Sequence, residues 1–407
     1  MNDIFAPATL GPITLRNRVI KAATFEGRTP DALVTDELID FHREVAAGGV
    51  GMTTVAYCAV APGGRTDRHQ IWMRPEAVAG LRKLTDAVHA EGAAACAQIG
   101  HAGPVANAAS NGVPALAPSR MFNPLGMRFT KTPTIAEIAE TVAAHADAAR
   151  LAEQAGFDAV EIHFGHNYLA SAFLSPMLNR RKDAYGGSLL NRARMAREIA
   201  CAVKDAVGDR IAVTAKINME DGQAGGLTIP QSLQFAAWLE ADGALDALEL
   251  TAGSSLLNPM MLFHGRPPHR SFGKVLPTPA RQGFRLVGKK FLKEYPYKEA
   301  YLLERARHFR RALSMPLILL GGITNLDTMQ LARTEGFEFV AMARALLREP
   351  DLLHRIQADE STRSACVHCN ECMPTIYSGT RCMYRPTLSR EPIELTLGGH
   401  TRGQDTP

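Results

Sequence analysis

The sequence predicts an α/β fold, a (β/α)8 TIM barrel with a long loop insertion between strands six and seven. Three features predict it: a recurring helix–Gly–strand unit, eight short apolar runs, and polar side chains at the ends of those runs. The recurring unit is an Ala-rich amphipathic stretch, a Gly and an apolar run, as in LAEQAGFDAVEIHF and LARTEGFEFVAMAR. It is typical of a helix that ends at a left-handed Gly and turns into a buried parallel strand. Gly156, Gly243 and Gly336 occupy the Gly position.

The apolar runs are the candidate strands, and they lie at residues 19–25, 50–57, 93–100, 159–164, 211–218, 245–252, 316–323 and 337–344. Eight strands separated by helices are the number that closes a barrel. A doubly wound open sheet is the structural alternative, but the G-x-G-x-x-G turn typical of such a sheet does not follow the first run. Ser188 and Thr324 precede helical patterns and are predicted to begin those helices.

Residues 254–315 lie between strands six and seven and contain several prolines and many basic side chains. We expect a loop insertion that is partly helical from about residue 297 onward, not a second domain. We therefore predict one barrel domain over residues 1–385, which includes the insertion and a cysteine-containing loop at 366–382. Residues 386–407 are expected to form a flexible tail.

Composition excludes several classes of protein. Hydrophobic residues make up 46% of the chain and charged residues 21%, as in a folded globular protein. The net charge of +4, from 45 basic and 41 acidic side chains, is too small to predict nucleic acid as a partner. The N-terminal residues lack the pattern of a signal peptide, and no apolar stretch is long enough for a transmembrane segment. We expect a cytoplasmic protein, and the sequence leaves a homo-oligomer open.

Barrel enzymes build their active sites at the carboxyl ends of the strands. The residues at those ends, most of them polar, are Thr24, Phe25, Ala56 to Cys58, Gln98, His101, His163, His166, Tyr168, Lys216, Thr251, Gly321, Gly322 and Arg344. Polar groups at so many strand ends are costly to bury unless they meet a ligand. This set favours an enzyme over a structural barrel.

The last two strands end in Gly321-Gly322-Ile and Ala-Arg344-Ala. Small residues let backbone N–H groups approach an anion, a following helix points its positive end there, and Arg344 adds charge. The alternative is a tight turn at the glycines and a surface arginine. Because barrels commonly bind phosphate at these two strand ends, we favour a phosphate site.

The segment EIHFGHNYL contains the most specific group of polar residues. His163 leaves the strand, and His166 and Tyr168 follow at short intervals. Two imidazoles can polarise a carbonyl, and a phenol can reach the adjacent carbon. Taken alone, an H-x-x-H pair is more often structural and also matches a pair of metal ligands.

With its flanking sequence, the chain resembles the Old Yellow Enzyme family of NADH:flavin oxidoreductases over roughly residues 4–385. The matching motifs occur in the order IFAPATLGPITLRNRVIKA, AQIGHAG, EIHFGHNYL with LSPMLNRRKDAYGGSLLNR, GGI and AMARALLREP. The resemblance extends to the flavin barrel of 2,4-dienoyl-CoA reductase. It implies FMN at the barrel mouth, NAD(P)H as electron donor, and reduction of a small enone or related activated alkene.

The resemblance also implies a role for each matching residue. His163 and His166 would bind the substrate carbonyl, where two donors stabilise the charge that hydride addition builds. Tyr168 would protonate the carbon next to the carbonyl, since tyrosine phenols keep their proton at neutral pH. The residues expected to bind FMN are Ala22, Ala23, Thr24 and Ala56, Gln98 at the pyrimidine edge, Lys216 near N1, and Gly321, Gly322, Ala343 and Arg344 near the phosphate.

The sequence departs from the family pattern at two flavin positions. Lys216 replaces the usual arginine; it keeps the cation but loses a bidentate contact. Where relatives often have Thr or Cys in the first strand, this chain has Phe25, with Thr24 beside it. Tuning of the flavin by that position is therefore in doubt.

A cluster of cysteines follows the last strand. Relatives of the 2,4-dienoyl-CoA reductase type have a four-cysteine iron–sulfur site there and continue into a nucleotide-binding domain that supplies electrons. The cysteines of this chain are Cys366, Cys369, Cys372 and Cys382, at shorter spacings. A metal-free loop and a metal site both remain open, and iron–sulfur is favoured over zinc.

Two other functions remain to be tested. A Schiff-base lyase or aldolase barrel would use Lys216 as its nucleophile and the phosphate site for substrate. It leaves Gln98, Tyr168 and the LSPMLNRRKDAYGG segment unexplained. A non-enzymatic role would use the basic segment 264–312 to bind a membrane or a partner surface.

Overall fold

A computed structural model describes residues 3–123, 125–276, 278–376 and 378–385. Its strands, in chain order, are β1 (Ala8–Leu10), β2 (Ile13–Leu15), β3 (Val19–Lys21), β4 (Met52–Ala59), β5 (Ala94–Gly100), β6 (Phe122–Asn123), β7 (Arg128–Phe129), β8 (Ala159–Phe164), β9 (Ala212–Asn218), β10 (Ala247–Thr251), β11 (Leu317–Leu320) and β12 (Phe339–Met342). The predicted tail, 386–407, lies outside the described residues.

Helices α1 to α7 are Asp36–Ala47, Pro75–Ala90, Ala108–Asn111, Ile135–Gln154, Leu169–Leu174, Leu189–Val207 and Ile229–Asp242. Helices α8 to α14 are Met260–Phe263, His269–Val275, Thr278–Phe291, Leu303–Ala312, Leu326–Thr334, Arg344–Arg348 and Leu352–Ala358. In the described part of the chain, no helix is long and apolar enough to cross a membrane.

Eight parallel strands form a closed barrel in the order β3-β4-β5-β8-β9-β10-β11-β12, and β12 pairs back to β3. Each lies within one of the eight predicted apolar runs, or overlaps it, so the predicted TIM barrel is confirmed. The predicted glycines Gly156, Gly243 and Gly336 all have positive φ and lie between a helix and the next strand.

Side chains that point into the barrel form layers, because alternate residues of a strand face opposite sides. At the amino-terminal end the interior is apolar, and its cluster includes residues from every barrel strand: Ile20, Met52, Cys96, Ala159, Ala212, Ala247, Ile318, Phe339 and Ala341. Leu10 and Leu15 of the β1–β2 hairpin belong to the same cluster and close the amino-terminal end of the barrel. The inward residues further along the strands are polar, and they form the site.

Two details of the prediction were wrong. Helix α12 is capped by Asn325, whose side chain accepts from Thr328 N, and not by Thr324. The insertion is helical well before residue 297, with α8, α9 and α10 all preceding it. Its prolines do not prevent helices: Pro259 and Pro268 lie immediately before α8 and α9, where a missing N–H costs no hydrogen bond.

Candidate functional site

A buried polar network spans the barrel below its mouth. Lys216 Nζ lies 2.9 Å from Glu161 Oε1 and 3.0 Å from Glu249 Oε1, on the two strands that flank its own. Gln98 Nε2 donates to the same Glu161 oxygen over 2.6 Å. All four side chains are buried. The two residues expected at the edge of the flavin, Gln98 and Lys216, are therefore joined through one carboxylate.

The charges in this network shift two pKa values upward. Burial, with a contribution from Glu161, raises the pKa of Glu249 to about 8, although Lys216 opposes the shift. Burial alone would lower the pKa of Lys216, but the two carboxylates outweigh it and the pKa is raised. Lys216 is thus a protonated ion-pair partner. A neutral amine is needed to attack a carbonyl, so this geometry does not support the Schiff-base alternative.

Glu249→Gln should change how stability depends on pH. The pKa of Glu249 is about 8 in the folded protein against an ordinary 4.5, so the folded state holds a proton that the unfolded state releases. The stabilising contribution is fully present below pH 4.5 and is lost as pH rises through about 8. Glutamine stays neutral throughout. In urea unfolding, the stability of Glu249→Gln relative to the wild type should therefore rise across this range; a flat or falling difference would contradict the assignment.

A second polar chain lies at the barrel mouth. His166 Nδ1 is 3.3 Å from His163 Nε2, and His166 Nε2 is 3.0 Å from Thr251 Oγ1. His166 and Asn167 have φ values of 59° and 58°, a left-handed conformation that costs free energy in residues other than glycine. The backbone is held there because His166 N donates to Asn218 Oδ1 over 3.0 Å. This strained turn directs His166 back over the strand that carries His163.

Each imidazole in the hydrogen-bond chain of Thr251, His166 and His163 is neutral and therefore has one N–H. Burial lowers the pKa of His163 well below its usual range, and burial with the charge of Lys216 lowers the pKa of His166 to about 3. Both nitrogens of His166 are engaged, whereas the buried Nδ1 of His163 has no hydrogen-bond partner among the described residues. If Thr251 donates to His166 and His166 donates to His163, an N–H remains on His163 Nδ1 for a ligand.

Tyr168 packs beside this chain. Its ring meets the His163 ring edge to face, with centroids 4.5 Å apart, and the Tyr57 ring with centroids 5.4 Å apart. Tyr168 is half-buried and lies immediately before α5, where its backbone N–H donates to Gly165 O. The structure therefore brings together the three predicted catalytic residues, His163, His166 and Tyr168.

A second ion pair, which the sequence did not indicate, lies behind β3 and β4. Lys21 Nζ is 3.2 Å from Glu26 Oε1 and donates to Thr24 Oγ1 over 2.9 Å. Glu26 Oε2 accepts from Ala56 N at 2.9 Å. Burial raises the pKa of Glu26 to about 7 against the opposing charge of Lys21. This pair fixes the positions of Thr24 and Ala56, two of the residues expected to bind FMN.

Two of the four residues expected near the phosphate, Gly322 and Arg344, contact other parts of the protein. Ala300 N donates to Gly322 O over 2.8 Å, and a Cβ on Gly322 would lie 2.8 Å from Ala300 N. This close approach, with φ at 78°, explains the glycine. Arg344 Nη1 donates to His264 O over 3.0 Å and also bonds to Asn370 Oδ1. The phosphate role of Gly321, Gly322, Ala343 and Arg344 stays a prediction.

The cysteine loop holds four free thiols, at Cys366, Cys369, Cys372 and Cys382. Burial raises the pKa of Cys372 to about 12, and Arg348 lies 3.7 Å from Cys382 Sγ. Among the residues that the structure describes, no three Cys, His, Asp or Glu side chains are placed to hold a metal ion. The four thiols therefore do not form a ligand set in this arrangement. Iron binding by this loop stays a prediction.

The mouth of the barrel fits FMN by its chemistry. An amide and an ammonium, on Gln98 and Lys216, lie at its floor, and an unpartnered imidazole nitrogen lies on its wall. Ala23, Thr24, Ala56 and Ala343 are half-buried small residues at the strand ends, where they leave room for a flat ring. Hydrogen-bond donors beside small side chains suit the carbonyl edge and the faces of a flavin.

Comparison with known proteins agrees with this chemistry. Residues 3–252 match the model of the NADH:flavin oxidoreductase / NADH oxidase family. The chain is 56% identical over 386 residues to a 4,4'-dithiodibutanoate disulfide reductase of Rhodococcus erythropolis, covering 95% of this chain and 96% of that one.

Solved structures show the same fold. A 2-naphthoyl-CoA reductase in complex with 2-naphthoyl-CoA superposes with a TM-score of 0.81 at 25% identity over 95% of this chain, which spans 57% of that reductase. An Old Yellow Enzyme homologue from Zymomonas mobilis gives a TM-score of 0.71 at 22% identity and covers 93% of this chain and 97% of its own. The chain belongs to the NADH:flavin oxidoreductase / NADH oxidase family and is an NAD(P)H-dependent flavin oxidoreductase.

Proposed function

We propose that the chain reduces a carbon–carbon double bond conjugated to a carbonyl, with FMN between NAD(P)H and the substrate. Gln98 and Lys216 would hold the edge of the flavin, Ala22, Ala23, Thr24 and Ala56 would line it, and Gly321, Gly322, Ala343 and Arg344 would hold its phosphate. The observation that supports this proposal most directly is the chain of Thr251, His166 and His163. It ends on a buried nitrogen that has no hydrogen-bond partner in the described part of the protein, next to a phenol.

FMN, when bound, would supply the hydride that reduces the alkene, with NAD(P)H as the source of electrons. His163 donates its Nδ1–H to the carbonyl oxygen, where negative charge develops. His166 and Thr251 keep His163 in the tautomer that can donate. Tyr168 gives its proton to the α carbon, so that one hydride and one proton saturate the double bond. Each group is neutral beforehand, so the site acts by placing N–H and O–H dipoles where charge will appear.

A second candidate is the reduction of an organic disulfide. The specific observation is the 56% identity, along almost the whole chain, to a relative named 4,4'-dithiodibutanoate disulfide reductase. The same donors would then act on sulfur. A hydride and a proton convert one disulfide into two thiols, and Tyr168 or His163 would protonate the departing thiolate.

One experiment tests both candidates. Purified protein is examined for a flavin absorption band and for NADH and NADPH oxidation with cyclohexenone or with 4,4'-dithiodibutanoate, and the products are identified as saturated ketone or thiol. Flavin-dependent formation of the ketone supports alkene reduction. Formation of the thiol without formation of the saturated ketone supports disulfide reduction instead of alkene reduction. A colourless protein that oxidises neither nucleotide with either acceptor would overturn both.

His163→Ala should weaken the binding of a phenol, a ligand whose oxygen resembles that of an enone. Loss of a donor to a charged or polarised oxygen costs about 1.5–3 kcal/mol, or roughly tenfold to a hundredfold in Kd. The measurement is the shift of the flavin spectrum on titration with the phenol. Thr251→Val should give a smaller loss, because it removes only the hydroxyl that orients His166. Equal phenol affinity in wild type and His163→Ala would rule out this donor.

A further inference from the structure

The insertion after β10 contains a strongly basic surface, which we call the basic hairpin, residues 266–293. Residues 250–293 contain no Asp or Glu. The basic side chains of this stretch are Arg266, Arg270, Lys274, Arg281, Arg285, Lys289, Lys290 and Lys293, and all of them are exposed. In the rest of the chain, acidic side chains outnumber basic ones. The positive net charge of the protein therefore comes from this one segment.

The basic hairpin has its own apolar interior. Phe272 of α9 packs against Phe284 and Phe291 of α10, with ring centroids 5.4 and 6.3 Å away. Leu292 is buried in the same cluster as Met373. This packing turns one face of α10 toward the body of the protein. The opposite face of α10 is therefore exposed to solvent.

The outward face of α10 combines apolar and basic side chains. Leu286 is 87% exposed and Val287 57% exposed. Lys289 and Lys290 follow Leu286 by three and four residues, so they share its side of the helix, and Lys293 lies two residues beyond the end of α10. No ion pair between described residues includes a basic side chain of the hairpin; the nearest along the chain is that of Arg305 with Glu220.

From this surface we infer that the basic hairpin docks the protein onto an anionic phospholipid bilayer. Lysine and arginine side chains contact lipid phosphates and keep their charge in the headgroup layer, while an aliphatic side chain between them enters the acyl boundary. Leu286, one helical turn before Lys289 and Lys290, fits this arrangement. Binding to the phosphates of a nucleic acid would leave the two exposed aliphatic side chains, Leu286 and Val287, without an apolar contact. The rest of the protein has an excess of acidic side chains, which the same bilayer repels. The protein should therefore bind with the basic hairpin toward the membrane.

Docking would bring the barrel mouth near the membrane. The insertion leaves the barrel at the carboxyl end of β10, and Ser255 N donates to His166 O over 3.1 Å. Further along, Gly265 N donates to Tyr295 O, and Arg266 N donates to His368 O over 3.1 Å. The hairpin is thus anchored at the end of the barrel that carries the candidate active site. This inference does not depend on which acceptor the enzyme reduces.

The test is flotation of the full-length, FMN-loaded protein with vesicles of phosphatidylcholine, alone or mixed with phosphatidylglycerol. We expect binding only to the mixed vesicles, weakened by salt. Lys289→Glu/Lys290→Glu should lower the apparent affinity for mixed vesicles at least about tenfold. Leu286→Ser alone should also lower the affinity below that of the wild type, at every salt concentration. Lys83→Glu/Arg150→Glu is the matched control, since it makes the same charge change on exposed positions of α2 and α4.

Three results would overturn the inference: no binding to the mixed vesicles by protein that carries FMN, equal binding to both kinds of vesicle, or equal losses in the hairpin and control variants. Tight binding of duplex DNA by protein that does not float would assign the surface to nucleic acid instead. The hairpin variants should oxidise NAD(P)H at the wild-type rate. Loss of vesicle binding with unchanged NAD(P)H oxidation therefore concerns docking alone and not the proposed reaction.

Discussion

Tyr168→Phe should leave the reduction of bound FMN by NAD(P)H almost unchanged and slow the transfer to an alkene acceptor by about 10²- to 10⁴-fold, the usual contribution of a positioned proton donor. Packing against His163 and Tyr57 holds the ring, and phenylalanine keeps both contacts. The substitution therefore removes the proton donor and leaves the site otherwise in place. Stopped-flow measurement of the two half-reactions separates the effects.

Tyr57→Phe is the matched control for this prediction. It makes the same chemical change in the neighbouring ring, but the Tyr57 hydroxyl bonds to Gly64 O. Its main effect should be on stability, with the alkene half-reaction close to that of the wild type. Equal slowing of both half-reactions in Tyr168→Phe would show that Tyr168 is not the proton donor. The same selective loss in Tyr57→Phe would contradict the assignment as well.

The barrel could be predicted because each buried strand is encoded locally. An apolar run of five to eight residues after a left-handed Gly is sufficient to place a parallel strand. The short helices α8, α9 and α10 could not be placed in this way. Helices of this length are stabilised mainly by tertiary contacts, here those of Phe272 with Phe284 and Phe291, and the prolines obscured their pattern.

The candidate site could be predicted only in part. His163, His166 and Tyr168 lie within six positions of one another, so a single motif reveals them. Glu161 is the one acid in its apolar run and Glu249 shares its run with Asp246, and neither run shows that Lys216 lies between Glu161 and Glu249. Counting alternate residues from the strand ends would have placed all three inside the barrel. Their pairing depends on the register of three strands that are far apart in sequence.

Lys216→Met should have the largest effect on the folded protein, because it removes the cation that two buried carboxyl groups share. Breaking a buried ion pair from one side typically costs about 3–5 kcal/mol in the free energy of unfolding, since the remaining charge is left uncompensated. The reduction potential of bound FMN should fall as well, because a positive charge near the flavin favours its reduced, anionic form. Lys216→Arg keeps the charge and should retain much of both properties.

The double variant Lys216→Met/Glu249→Gln distinguishes this explanation from a general loss of packing. At a pH where Glu249 is ionised, replacing it removes one uncompensated carboxylate, and Glu161 still accepts a hydrogen bond from Gln98, so part of the lost stability should return. Urea unfolding of the four proteins in this cycle measures the coupling free energy, and additive losses would show that Lys216 and Glu249 do not act as a pair. A Schiff-base lysine predicts a different result. Substrate would then be trapped on Lys216 by borohydride and Lys216→Arg would be as inactive as Lys216→Met, since a guanidinium cannot act as an amine nucleophile.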